Sequence, residues 1–168
     1  TKHFERLVEI NRFTADIVKG EIYRTLARIY LKNGQTDKAF EKFYELLKEY
    51  PSDSESLYHV GFIALGQELF ETAFKNLELL ARQEKKNFEV LFGAGISALQ
   101  TQRISESINY FKEAVSIEPQ SDIANIALSY TLYKKRDYKT STEYLKSLID
   151  KTSDNTALII AKRLIGFC

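Results

Sequence analysis

Glycine and proline are scarce in this chain of 168 residues, at 7 and 2. So few breakers argue against an all-β fold, whose many tight turns need both. Cysteine occurs once, at Cys168, so neither a disulfide within the chain nor a cysteine-based metal site can be assembled. No apolar run approaches the roughly 20 residues needed to span a bilayer, which speaks against direct membrane insertion. No signal-peptide pattern is visible. An excess of either charge is missing too. The 24 basic and 23 acidic residues leave +1, giving no electrostatic ground to expect nucleic acid, whose binding is driven by neutralising phosphates. No P-loop, GxGxxG, HExxH or EF-hand spacing occurs, so no catalytic residue, metal ligand or cofactor is assigned and the chain is not read as an enzyme. The only histidines are His3 and His59, and neither has a neighbouring nucleophile or ligand in the pattern. Opening on Thr1 and closing on Gly166-Phe167-Cys168, the chain reads as a fragment. Its compartment stays open, with a lean toward the cytoplasm.

What is present is the composition of a folded protein, 44% hydrophobic and 28% charged, and a period of 34 residues. Ala39, Ala73, Ser107 and Ser141 are all small and stand 34 apart. Four places later come Phe43, Leu77, Phe111 and Leu145, then Leu46, Leu80, Ala114 and Leu148. Pro51 and Pro119 close two of the units in register. A fixed period of this length signals a solenoid, in which each unit buries its apolar face against its neighbours.

Each unit reads as two amphipathic helices. In the first, Tyr23, Leu26, Ala27 and Tyr30 recur at helical spacing. The turn Lys32-Asn33-Gly34-Gln35 stops that helix. A second follows near Asp37 with the stripe Phe40, Phe43, Leu46 and Leu47. Pro51 ends it, and Ser52 and Asp53 are the expected N-caps for the next unit. The small positions Ala27, Gly61, Gly95 and Ser129, with the set at 39, 73, 107 and 141, predict close approach of two helix backbones.

On these residues the chain resembles the tetratricopeptide-repeat (TPR) family, whose 34-residue pattern is W-x2-L-G-x2-Y, A-x3-F, P. Tyr23, Leu26, Ala27, Tyr30, Ala39, Phe43 and Pro51 carry it in the first unit. Leu57, Val60, Gly61, Ala64, Ala73 and Leu77 do so in the second, with Lys85 in the proline place. Leu91, Ala94, Gly95, Ala98, Ser107, Phe111 and Pro119 follow in the third; the fourth keeps mainly the spacing. The expectation is an all-α, right-handed superhelical solenoid of antiparallel helix pairs with extra helices at both ends. Its parts are an N-terminal helix over 1–19, repeats over 20–53, 54–87, 88–121 and 122–155, and a C-terminal capping helix over 156–168. The N-terminal stretch carries Phe4, Leu7, Val8, Phe13 and Ile17, with Glu5 and Glu9 where the repeat wants Ala and Phe.

The resemblance implies a concave groove lined by places 2, 5, 9 and 12 of each repeat, and a non-catalytic adaptor or scaffold that holds a protein or peptide partner. Carried over, the groove residues are Arg24 and Arg28 at one end, then Tyr58, Phe62, Phe92, Ile96, Ile126 and Tyr130. Most of the strip is apolar, while the outward face of the second helices, with Glu41, Lys48, Lys75, Glu78, Lys112 and Glu113, is mostly polar. Three readings stay open: a groove for an apolar peptide or amphipathic helix, a homo-oligomer whose groove is filled by its own or a neighbour's helix, and ordinary packing between adjacent helices. Chaperone-binding members of the family clamp a terminal carboxylate with Lys, Asn, Asn, Lys and Arg. The matching places here are Arg24, Arg28, His59, Glu89 and Gly93, so that clamp is absent. Arg24 and Arg28 remain as a grip for an acidic group, or as solvated arginines facing Glu21. Lys134-Lys135-Arg136 is read as a solvated turn.

Overall fold

The computed structural model describes residues 2–83 and 87–167, and of residues 2–5 and 7–17 only the backbone path. The expected contacts of Phe4, Leu7, Val8, Phe13 and Ile17, and the places of His3, Lys85 and Cys168, lie outside that description. Among the described residues every element is a helix: α1 (Lys2–Lys32), α2 (Thr36–Glu49), α3 (Ser54–Gly66), α4 (Phe70–Arg82), α5 (Phe88–Gln100), α6 (Ile104–Ile117), α7 (Asp122–Lys134), α8 (Tyr138–Ile149) and α9 (Asn155–Ile165). The fold is an all-α helical-repeat solenoid. Consecutive helices pack along the whole chain. The odd-numbered helices α3, α5, α7 and α9 also touch one another in turn, which sets them in an inner row with α2, α4, α6 and α8 outside.

The crossing within each pair rests on the small residues. Ala27, Ala39, Ala73, Ser107, Ser129 and Ser141 are wholly buried, and the large residues four places on, Phe43, Leu77, Phe111 and Leu145, are buried with them. At Gly95 a Cβ would lie 2.6 Å from the Phe111 ring, and at Gly61 it would lie 2.7 Å from Leu77. The backbone of the inner helix is therefore the surface on which the outer helix's large side chain rests. Where the small residue is serine, burial of its hydroxyl requires an acceptor. Ser107 Oγ donates to Gly95 O at 2.8 Å, and Ser141 Oγ donates to Ser129 O at 2.8 Å, each across the crossing.

The turn inside each pair is the same four times. Gly34, Glu68, Gln102 and Arg136, 34 residues apart, all have positive φ, between 60° and 70°. The amide after each donates to a carbonyl five residues back, as in Gln35 N to Tyr30 O (2.8 Å) and Leu69 N to Ala64 O (2.8 Å). This is the left-handed C-terminal cap that closes a helix and satisfies its last carbonyls. Only the first unit uses glycine there. The inner helices α3, α5 and α9 begin instead on side-chain caps, whereas Ser121 at the start of α7 makes no such bond. Asp53 accepts from Ser56 N (2.9 Å), Asn87 from Val90 N (2.7 Å) and Asp154 from Thr156 N (2.9 Å).

Both ends differ in detail from the sequence reading. One continuous α1 crosses the expected boundary at residues 19 and 20, so the added N-terminal helix and the first helix of the first repeat are the same element. Gly20 does not break it; the glycine is buried against Tyr50, whose ring would be 3.2 Å from an added Cβ. At the other end α9 takes the place of a further inner helix. Its cap Asp154 follows Ser121 by 33 residues rather than 34, and buried Ala157 and Ala161 match buried Ser56 and Val60 when counted from the caps. The apolar interior is a string of clusters at the joints between units, with Phe43 and Val60 in one, Leu80 and Val90 in the next, Phe111 and Leu128 in a third, and Leu148 and Ala161 in the last.

Three substitutions test these contacts in thermal or denaturant unfolding. Glu68→Gly relieves the cost of a side chain in the left-handed region and stabilises by about 0.5–1 kcal/mol, whereas Gly34→Ala destabilises by about 1 kcal/mol. Gly95→Ala forces a methyl into the Phe111 ring and costs about 1–3 kcal/mol. A Gly95→Ala protein as stable as the parent would contradict the crossing.

Candidate functional site

The inner row presents the concave surface, and its chemistry changes from one end to the other. Counting from the helix caps at Asp53, Asn87, Ser121 and Asp154, the second place holds Glu55, Glu89, Ile123 and Thr156, and the fifth holds Tyr58, Phe92, Ile126 and Ile159.

At the first end the two arginines are met by the chain's own carboxylates. Arg24 pairs with Glu21 on its own helix, with Asp53 at 2.6 Å, and with Glu55 at 3.5 Å. Arg28 makes a two-pronged contact with Glu55, Nε to Oε1 at 2.6 Å and Nη2 to Oε2 at 2.5 Å. Asp53 also caps α3, so this network ties the first unit to the second. Its side-chain and backbone bonds to Ser56 and its contacts with Arg24 overcome the effect of burial, and hold the Asp53 carboxyl below its ordinary pKa. The reading of these arginines as solvated fails for Arg24, whose side chain is only 18% exposed. One joint further on, Tyr58 Oη donates to Glu89 Oε2 at 3.0 Å in the equivalent place.

The middle of the strip is half-buried. Tyr58 and Phe62 pack against the cluster of Leu57, Leu80 and Val90, and their rings meet at 4.6 Å. Phe92 and Ile96 pack against Phe111 and Leu128, and Ile126 packs against Leu145, Leu148 and Ala161. Tyr130 is also half-buried, with Lys134 Nζ 5.5 Å from its ring centre. These residues are shared between the groove and the joints, so much of their apolar area is already removed from water.

The most exposed apolar side chains of these two places stand at the far end, with Ile123 59% and Ile159 66% exposed; on α1, Val18, Ile22 and Ile29 are exposed as well. Ile123 stands at place 2 of the fourth repeat, one of the groove places; Ile159 was not singled out, because a strict 34-residue count puts it one place out of register. The outward face is less uniformly polar than expected. Tyr44 and Leu79 are exposed on it, beside Lys48 and Lys75. Lys134, Lys135 and Arg136 are exposed at their turn, as read.

His59 is held in a slot between units. Its ring stacks on Phe43 at 4.5 Å and meets the edge of Tyr58 at 5.4 Å. Burial pushes its pKa below the ordinary value, Glu55 opposes this, and Arg28 adds to it. No group of three or more His, Cys, Asp or Glu suited to a metal occurs among the described residues. None of their helices is long and apolar enough to cross a membrane.

The His59 geometry makes stability pH-dependent. With a folded pKa below the unfolded value of about 6.5, the unfolded chain binds more protons as pH falls through that value. The contribution is therefore full above about pH 6.5 and lost below it. Unfolding midpoints at pH 7.5 and 5.5 should fall with acid in the parent and fall less in His59→Phe.

Two tetratricopeptide-repeat profiles match the sequence, over residues 25–53 and 88–121, and so cover the two units that end on Pro51 and Pro119. No curated protein sequence matches the chain. Solved structures similar in fold include MamA (TM-score 0.75, 17% identity, 89% of this chain and 80% of that one) and YrrB, described as a TPR protein with an unusual peptide-binding site (TM-score 0.74, 14% identity, 86% and 75%). MamA from Desulfovibrio magneticus is also similar (TM-score 0.66, 18% identity, 78% and 74%). At these identities the likeness is one of fold. Proteins of this fold are generally non-catalytic modules that hold other proteins. With its 34-residue helix pairs, small-residue crossings and two matching profiles, the chain carries tetratricopeptide repeats within a helical-repeat solenoid.

Proposed function

We propose that this interaction module takes an apolar peptide or amphipathic helix on its concave face, and that the contact centres on the far half, at Ile123, Ile126, Tyr130 and Ile159. The observation that carries the reading is the exposure of Ile123 and Ile159 on inner helices whose neighbours are half-buried. Burying an isoleucine that now faces water is worth about 1.5–3 kcal/mol, whereas Phe62 and Phe92 have less area left to give. At the first end an incoming acid would have to displace Glu55 and Asp53 from the arginines, so Arg24 and Arg28 are weak anchors for a partner.

A second reading, self-association as part of a larger assembly, draws on Ile160 in α9 and Phe167 just after it, both exposed. Its form in which the chain's own terminal helix fills the groove finds no support, since α9 stacks on α7 and α8 as the next inner helix.

Ile123→Glu with Ile159→Glu is the pair to test. Partner capture from the source cell extract should drop at least tenfold, with helical content and unfolding midpoint unchanged. Undiminished capture by the double variant would sink the concave reading. Sedimentation velocity over a hundredfold concentration range separates the second reading: a monomer throughout removes it.

A further inference from the structure

One sizeable cavity lies away from the concave face. It is a groove of about 760 Å³ between the outer helices α2 and α4, a volume within the range of about 300–1,000 Å³ usual for ligand sites. Leu47, Leu57 and Phe74 form its apolar floor, and Tyr44 and Leu79 rise on its two sides, 44% and 38% exposed. Arg103, from the turn before α6, reaches across one end. Its guanidinium lies 4.7 Å over the Phe74 ring and donates to Glu71 at 2.9 Å.

The charges on the rim are unequal in an informative way. Glu71 is held by Arg103 and Glu78 by Arg82 at 2.8 Å, so both acids of the groove are neutralised by the chain itself. Lys48 and Lys75 have no ion pair among the described residues; Lys48 only leans over the Tyr44 ring at 5.5 Å. In the floor, Asn76 is 94% buried, and its amide donates to Thr72 O at 2.7 Å. That bond fixes the carboxamide, and its oxygen accepts no hydrogen bond from the described residues. Among the described residues the Ser56 hydroxyl is the one side-chain polar atom both buried and unpartnered, so the Asn76 oxygen opens to the groove, where an amide N–H of an extended peptide is a donor of the right kind.

From the apolar floor, the two uncompensated lysines and the free Asn76 acceptor, we infer that this outer groove docks a short acidic peptide segment with large apolar side chains. The apolar side chains seat on Phe74, Leu47 and Leu79, flanking carboxylates meet Lys48 and Lys75, and one backbone amide of the segment donates to Asn76. The site is separate from the concave face and stands whether or not the reading of that face holds.

The probe is a fluorescein-labelled peptide, Asp-Glu-Leu-Phe-Asp-Glu, with a Lys-Lys-Leu-Phe-Lys-Lys counterpart, titrated into the full chain at low salt. Saturable binding of the acidic peptide is expected. Lys48→Glu with Lys75→Glu should weaken it at least tenfold, Leu79→Asp should weaken it with the lysines intact, and Ile123→Glu should leave it unchanged. Amide shift changes should fall on α2 and α4. Absence of saturation at millimolar protein, equal binding of the basic peptide, or shifts centred on α7 and α9 would overturn the assignment. So would a dimer in sedimentation that the lysine pair abolishes, since the occupant would then be a second copy.

Discussion

The whole architecture depends on one close crossing between two helix backbones, made afresh in each unit. Alanine, glycine or serine on both sides brings the helices together, and a Phe or Leu one turn further along the outer helix then fills the space beside the contact with no exposure at all. Had either side carried a larger residue, the pair would open and the large side chain would lose the surface it rests on. The crossing also fixes which helix faces inward, and so which residues line the concave face. The serines at 107, 129 and 141 show that the constraint is on size. Polarity is accepted because each hydroxyl reaches a backbone carbonyl, Ser129 within its own helix and the other two across the pair.

Once the units are stacked, each joint consumes part of the inner surface. At the first joint the currency is charge, with Arg24 and Arg28 held by Asp53 and Glu55. At the next it is a phenol on a carboxylate, and beyond that it is ring and aliphatic packing. The same two places of the repeat thus serve as joints early in the chain and stand open late in it, at Ile123 and Ile159. Our proposal for partner contact follows from that gradient. A surface whose groups already satisfy one another has little free energy left for a newcomer, and a water-exposed isoleucine has all of its own.

The fold was legible from the sequence because its determinants are local and periodic. The small positions, the large positions four residues on, Asp53 as a cap and the turn at Gly34 can each be read from residue type and spacing. The left-handed backbone at Glu68, Gln102 and Arg136 was not, since the helices on either side impose it and no glycine marks it, although Lys134-Lys135-Arg136 was read as a turn. Nor was the continuity of α1 through Gly20, where glycine signals contact with Tyr50 and not a break. The groove was legible as a list of residues but not as exposures. Periodicity places Tyr58 and Ile123 on one face, yet only the packing of neighbouring units decides that the first is half-buried and the second open. The outer groove escaped notice because its lysines made the outward face read as merely solvated.

The claim that the partner meets the open end of the inner row, and not its charged end, is tested most directly by hydrogen–deuterium exchange on the chain with and without its captured partner. The account predicts new protection in α7 and α9, around Ile123 and Ile159, with the amides around Arg24 and Arg28 in α1 unchanged. Protection centred on α1 and α3, with α7 and α9 untouched, would contradict it.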